Sequence, residues 1–162
     1  MIIYIKLQWS TLAMTTIAKQ DRDLATVMKD DGVAKANTHD SINRIFNRLE
    51  DIKKEMGEPS WSVRLIYTDM MSAVMICQKP GESNRTHYHA NEDEWWVVME
   101  GELEWDVEGH GAYRATKDDI IFVPRKVIHN IRVVGDKPSI RLAIGKPDVN
   151  HIFVEDHVFI EN

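Results

Sequence analysis

The sequence has little of what several classes of protein require. It contains one cysteine, Cys77, so an intramolecular disulfide is impossible, which fits a reducing compartment, and we expect a cytoplasmic protein with a buried thiol. No apolar run approaches the roughly 18–20 residues that a membrane-spanning helix needs. Lys and Arg number 20 against 26 Asp and Glu, a formal charge of −6. This acidic balance disfavours nucleic acid, so we expect neither nucleic acid nor a membrane as a partner.

The chain of 162 residues, 43% apolar and 28% charged, has the composition of one soluble globular domain. Residues 14–19 read like an ordinary protein start. Residues 1–13 are therefore either an upstream extension or an edge strand over residues 2–7, and the sequence leaves both open.

Two amphipathic helices are predicted in the first third of the chain. In the first, Ile17, Leu24, Val27 and Met28 share one face. In the second, apolar residues recur at steps of three and four from residue 42 to residue 56, after a cap at residue 40 or 41 and before a stop at residue 57. We expect residues 1–59 to form an N-terminal extension whose helices pack on the rest of the protein or on a partner subunit.

From residue 60 to residue 162 the pattern predicts a β domain. Short apolar runs recur about every ten residues, separated by Gly, Pro, Asn and Asp, which is typical of an antiparallel sandwich or barrel. The runs cover residues 63–67, 73–77, 95–99, 103–107, 120–123, 127–134, 140–144 and 152–159. Seven or eight such strands favour an all-β jelly roll with N-terminal α-helices.

Three histidines and a glutamate form the most informative pattern. His87 and His89 alternate on a strand, so both imidazoles project from one face. Glu94 begins the next apolar run, and His129 lies five residues beyond Pro124. Such a mixed nitrogen and oxygen set suits one divalent transition metal: Fe, Mn, Zn, Ni, Co or Cu. Four protein ligands on a six-coordinate ion leave two positions for other molecules, as a catalytic metal requires.

These residues resemble the motifs of the cupin superfamily. Gly81, His87, His89, Glu94 and Gly101 stand at the spacing of the first cupin motif. The second motif is matched by Pro124 and His129, whereas Asp118 and Lys126 occupy places where the pattern has glycine. The resemblance implies a cupin double-stranded β-helix, a jelly-roll barrel that binds one metal through His87, His89, Glu94 and His129.

A narrower resemblance, to the 3-hydroxyanthranilate dioxygenases, runs through residues 84–89, 94–96 and 122–129. In that family the arginine corresponding to Arg85 anchors the substrate carboxylate, and Arg85 has the strand parity of His87 and His89. A surface ion pair of Arg85 with Glu82 is the alternative. The match has departures: His87 stands where those enzymes have aspartate, and a glutamate they place near the substrate has no counterpart in residues 144–145.

Strand parity assigns the remaining candidates. Trp96 and Val98 share the parity of Glu94, so we expect Trp96 to line the cavity wall. Trp95 has the opposite parity and faces outward. An apolar outer face of this kind is usually covered by another part of the protein or by a second subunit, which favours a homodimer. Arg141 is interpreted as a solvated side chain. The histidines without ligand-like spacing are interpreted as surface residues: His39, His110, His151 and His157.

The sequence thus predicts a metal-dependent cupin enzyme with a small polar or carboxylated substrate. The resemblance favours an Fe(II) dioxygenase. The alternatives are a redox-neutral lyase or isomerase that uses Zn, Mn or Ni, and a non-catalytic ligand-binding or sensor protein.

Overall fold

The structure, a computed structural model, describes residues 35–36, 42–147, 149–154 and 157–159. Over these residues it contains one helix, α1 (Leu49–Met56), and eleven strands. The strands are β1 (Lys35–Ala36), β2 (Trp61–Tyr67), β3 (Ser72–Gln78), β4 (His87–His89), β5 (Glu94–Glu100), β6 (Glu102–Val107), β7 (Gly111–Thr116), β8 (Ile120–Val123), β9 (His129–Val133), β10 (Ser139–Gly145) and β11 (His151–Phe153).

The strands form two sheets with jelly-roll connections. One sheet has the order β1-β2-β3-β10-β5-β8 and the other the order β11-β4-β9-β6-β7. All strand pairs are antiparallel except β1 with β2. Strands distant in sequence are neighbours, since β10 lies between β3 and β5, and β9 between β4 and β6. This confirms the predicted all-β cupin fold.

The main core lies between the two sheets. It is built from inward-facing residues of both, including Trp96 and Val98 of β5 and Trp105 of β6. Trp96 and Trp105 are buried and their rings lie 5.8 Å apart. Trp95, the outward neighbour of Trp96, is 39% exposed, so the alternation expected from strand parity is present in β5.

A second apolar cluster covers the outer face of the six-stranded sheet. Ile52 of α1 packs there with Trp61, Met75 and Cys77, and Met99 of β5 lies against the same cluster. Burial raises the pKa of the Cys77 thiol to about 11. The expected buried thiol is therefore present, beneath the helix.

The second predicted helix is shorter than its apolar periodicity indicated. It begins at Leu49 rather than near residue 42, and Phe46 is exposed. The reason is Asn43, whose side chain exchanges two hydrogen bonds with the backbone of Tyr67 while its own N–H donates to Leu65. These bonds hold the segment against the end of β2. The predicted stop is present, because Gly57 terminates α1 with φ +72°.

Other predicted segments either fall outside the described residues or differ from the observed strands. The first helix and the edge strand over residues 2–7 fall outside the described residues. At the start of the predicted strand over residues 152–159 the structure has a strand at His151–Phe153, and the described residues 154 and 157–159 lie outside it. β7 was not predicted, since only part of its short sequence is apolar. No helix in the described ranges is long and apolar enough to cross a membrane.

Candidate metal centre

Four side chains from three strands converge inside one end of the barrel. β4 supplies His87 and His89, the first residue of β5 is Glu94, and the first residue of β9 is His129. Pairing of β4 with β9 sets His87 directly opposite His129. One ligand atom from each of the four lies within 4.8 Å of the others. The structure thus brings together all four residues that the sequence proposed as metal ligands.

Backbone carbonyls orient the three imidazoles. His87 Nδ1 donates to the carbonyl of Arg85 (2.6 Å), His89 Nδ1 to that of Asn150 (3.2 Å), and His129 Nδ1 to that of Val127 (3.1 Å). Because a carbonyl oxygen only accepts, each Nδ1 carries the hydrogen and each Nε2 keeps its lone pair. Histidine ligands of metals are held in the same way, by a hydrogen bond from the ring nitrogen that does not bind the ion.

The nitrogen atoms at the centre that lack a hydrogen-bond donor, together with the nearby carboxylate, suit a bound cation. His129 Nε2 is buried and has no hydrogen-bond partner among the described residues. His89 Nε2 lies 2.8 Å from Glu94 Oε2, and two lone pairs at that distance repel unless a proton or a metal ion lies between them. Buried polar atoms are ordinarily satisfied, so these orphaned atoms indicate a missing positive partner. The donor set and its geometry therefore fit one divalent transition metal.

The electrostatics of the centre agree with that interpretation. Burial lowers the pKa values of His87 and His129, which keeps both imidazoles in the neutral form that binds metals. Burial also lowers the pKa of His89, but contact with Glu94 outweighs it and the net shift is upward. For Glu94, burial raises the pKa, yet the contact with His89 brings the net shift downward. The contact between His89 and Glu94 therefore favours a proton between the two groups, and a bound cation would compete for that place.

His151 lies beside this centre, so its interpretation as a surface histidine was wrong. β11 pairs with β4 so that His151 is opposite His89 and Phe153 is opposite His87. The ring centroid of His151 is 4.8 Å from that of His87 and 4.7 Å from that of His89. Burial lowers the pKa of His151 to about 4. In the sequence, His151 and Phe153 are two residues apart, which places both side chains on the same face of a strand. No sequence motif, however, connects this strand, β11, with the strands that carry the four candidate ligands.

Arg85 and Trp96 lie on two different walls. The Arg85 guanidinium stands 3.9 Å above the centroid of the Phe153 ring, which is itself 6.2 Å from the His87 ring. Trp96 is buried with its ring centroid 5.6 Å from that of His129. Arg85 thus contacts an aromatic ring that flanks His87, whereas Trp96 packs beside His129 in the core.

Arg141 is fully buried, so the prediction of a solvated side chain was wrong. It shares the inward parity of Ala143 and donates to Gln78 Oε1 (2.6 Å) and Asn84 Oδ1 (2.8 Å). Its strand partner Val98 lies four residues along β5 from Glu94, about 13 Å at the usual rise per residue. Arg141 therefore belongs to a polar end of the barrel interior, away from the candidate metal centre.

The two departures from the second motif leave its turns intact. Asp118 and Lys126 adopt φ values of +75° and +68°, the conformation that glycine favours. The N–H of Lys126 donates to the carbonyl of His89 (2.6 Å), which ties this turn to the ligand strand. The loop keeps its left-handed shape without glycine.

Comparison with known proteins agrees with this architecture. Residues 74–145 match the family model of the cupin domain. The chain is 25% identical over 136 residues to oxalate decarboxylase of Bacillus subtilis, covering 79% of this chain and 35% of that protein. It is 30% identical over 86 residues to a polyketide synthase protein, CurC, of Streptomyces cyaneus, covering 50% of this chain and 55% of that one. The chain thus spans between a third and somewhat over half of these relatives.

Solved structures show the same fold. A Klebsiella pneumoniae protein with a double-stranded β-helix domain superposes with a TM-score of 0.58 at 20% identity, covering 70% of this chain and 99% of that one. A structure of Bacillus subtilis oxalate decarboxylase, from a study of its Mn(II) centres, superposes with a TM-score of 0.50 at 21% identity, covering 53% of this chain and 24% of that one.

Proposed function

We propose that this chain, which has the cupin fold and matches the cupin domain over residues 74–145, is a metal-dependent enzyme that acts on a small carboxylated organic molecule. The observation that carries the proposal is the convergence of three imidazoles and one carboxylate, with one ligand atom of each within 4.8 Å of the others and the Nδ1 of each imidazole bonded to a backbone carbonyl. Four protein ligands would leave positions open on a six-coordinate ion, which separates a catalytic centre from a closed structural one.

The residues around the centre have separate roles in this proposal. His87, His89, Glu94 and His129 would hold the metal, which would act as a Lewis acid or as a redox centre toward substrate and dioxygen. Arg85 anchors the substrate carboxylate, since a guanidinium offers paired donors to carboxylate oxygens. Its stacking on Phe153 limits the orientations of that group.

Trp96 forms an apolar, water-excluding side of the proposed cavity. It is 2% exposed and packs on Trp105 and His129. An apolar wall at this place excludes water from the inner side of the centre and strengthens the interactions of the ligands with a bound ion.

The finer form of the proposal is an Fe(II) dioxygenase, supported by the motif resemblance around Arg85. A second candidate is a redox-neutral enzyme with Mn(II), such as a decarboxylase. It is favoured by the relation to oxalate decarboxylase, a protein with Mn(II) centres. We further propose that the enzyme is a homodimer, because Trp95, Ile120 and Phe122 form an exposed apolar strip on β5 and β8. The single cysteine, Cys77, supports a reducing compartment such as the cytoplasm.

The proposal is tested by the metal content of protein purified without added metal, followed by oxygen uptake with a panel of aromatic and aliphatic acids. Iron with substrate-dependent oxygen consumption supports the dioxygenase. Manganese with release of carbon dioxide and no net oxygen use supports the second candidate.

Variants separate the site from incidental metal binding. The double variant His87→Ala/His89→Ala should lose the metal, whereas His110→Ala, which removes an exposed histidine from the β6–β7 turn, should retain it. Equal metal content in both variants would contradict the site.

A further inference from the structure

We propose that His151 is a substrate-positioning residue, whose imidazole hydrogen-bonds a carboxylate oxygen of the molecule bound at the metal centre. This inference rests on the proposed function and adds a residue that the ligand motif does not contain. It is carried by the position of His151, its exposure and the state of its ring nitrogens.

Strand pairing directs His151 toward the centre. Residues opposite each other in an antiparallel pair project from the same face of the sheet. His151 is opposite His89, whose side chain points into the barrel, and its ring lies within 5 Å of two ligand rings. The group of ligand atoms within 4.8 Å of one another nevertheless does not include His151. It therefore flanks the metal ligands and stands outside their set.

Exposure places His151 on the side from which a substrate arrives. His87, His89 and His129 are almost fully buried, whereas His151 is partly exposed. Phe153 is also partly exposed, and its ring is nearly parallel to that of His151, with an interplanar angle of 17°. β11 thus forms the boundary between the metal ligands and solvent.

The ring nitrogens of His151 are available to a ligand. Each of the three metal-ligand histidines uses Nδ1 to bond a backbone carbonyl. Within the described residues His151 makes ring contacts but no side-chain hydrogen bond. Since half-buried polar groups near a binding site commonly pair with the ligand, its N–H is the group that meets an oxygen of the bound molecule.

This arrangement favours a substrate with two polar ends. One oxygen-bearing group would occupy the open side of the metal, next to His151. Arg85, stacked on Phe153, can receive a second carboxylate on the same wall. Short hydroxy, keto or dicarboxylic acids have this chemistry.

The test uses the full-length protein loaded with Co(II), whose visible spectrum reports its ligands, and oxalate as a two-carboxylate probe. His151→Ala should bind one Co(II) with an unchanged spectrum, but its Kd for oxalate should rise about ten-fold, as expected for one lost hydrogen bond to a charged group. His151→Gln keeps a donor and should recover part of the affinity. The control, His110→Ala, should match the wild type.

The outcomes separate this inference from the function on which it rests. An oxalate Kd unchanged in His151→Ala overturns the positioning role. Loss of Co(II) or a changed cobalt spectrum in that variant also overturns it, because His151 would then be a ligand. A wild-type protein that binds Co(II) but does not respond to oxalate overturns the inference and leaves the metal site standing. Failure of the wild type to bind metal overturns the proposed function as well.

Discussion

Gly101 is the point at which the turn between β5 and β6 touches the chain that enters β10, and Gly101→Ala should destabilise the protein strongly. A Cβ at this position would lie 2.7 Å from the carbonyl oxygen of Pro138 and 2.7 Å from Cα of Ser139. Both are backbone atoms, so relief requires a shift of the chain instead of a side-chain rotation. Gly101 also has φ +78°, which an alanine adopts only with strain.

Gly81→Ala provides a matched control because it isolates the conformational cost. Gly81 has φ +81°, but a Cβ there meets nothing within 4 Å. Alanine in the left-handed region costs about 1–2 kcal/mol, which both variants share. The overlap at Gly101 adds about 1–3 kcal/mol, the usual cost of overpacking. We expect a loss of roughly 1–2 kcal/mol for Gly81→Ala and about 2–5 kcal/mol for Gly101→Ala.

Urea unfolding followed by tryptophan fluorescence measures the difference. Because neither change alters the surface exposed on unfolding, the slope of the transition should remain constant while its midpoint moves. Equal losses in the two variants would refute the assignment of Gly101 to a close backbone contact. A change in slope would show that the comparison itself is invalid.

Four further predictions concern the motif turns, the reactivity of the thiol, its effect on stability, and the candidate metal centre. Asp118→Gly and Lys126→Gly should each raise the free energy of unfolding by about 0.5–1 kcal/mol, because each relieves a positive φ; lower urea midpoints would contradict this. Cys77, with its pKa raised to about 11, should be roughly 0.1% thiolate at pH 8 and react with Ellman's reagent only after unfolding. Rapid labelling of folded protein would contradict its burial. Since that pKa is raised on folding, the contribution of Cys77 to stability should be present below about pH 9 and lost as the pH approaches 11, measurable by urea unfolding at both values. Glu94→Gln should weaken metal binding by more than the roughly 10–100-fold typical of a lost outer-shell partner, measured by competition with a chelator; unchanged affinity would remove Glu94 from the ligand set.

The sequence was sufficient to select the four residues that the structure brings together and the strands that carry them. His87 and His89 are two residues apart on one strand, so local alternation alone gives them a common direction. Their meeting with His129 depends on a pairing between strands about 40 residues apart, which the motif resemblance supplied. Burial of Trp96 followed from the same parity once Glu94 was assigned to the interior.

His151 and Arg141 could not be placed in this way. His151 reaches the centre through β11, an edge strand of three residues whose register no local pattern specifies. Arg141 has inward parity, but the expectation that arginine is solvated outweighed it. Gln78 and Asn84, whose amide oxygens accept from its guanidinium, come from other parts of the chain. The helix start was misplaced because Asn43 bonds to β2, a tertiary contact that overrides the periodicity.

The carbonyl groups that hold His87, His89 and His129 belong to the main chain of residues 85, 150 and 127, and this bears on how such a centre can evolve. A backbone carbonyl persists whatever side chain its residue carries. Replacements at those three positions, Arg85 included, would leave in place the acceptors that orient the three imidazoles. The orientation of these three imidazoles is thereby independent of the side chains at residues 85, 127 and 150. Mutations at these positions would change the side chains near the candidate centre, while the orientation of its three imidazoles is inherited unchanged.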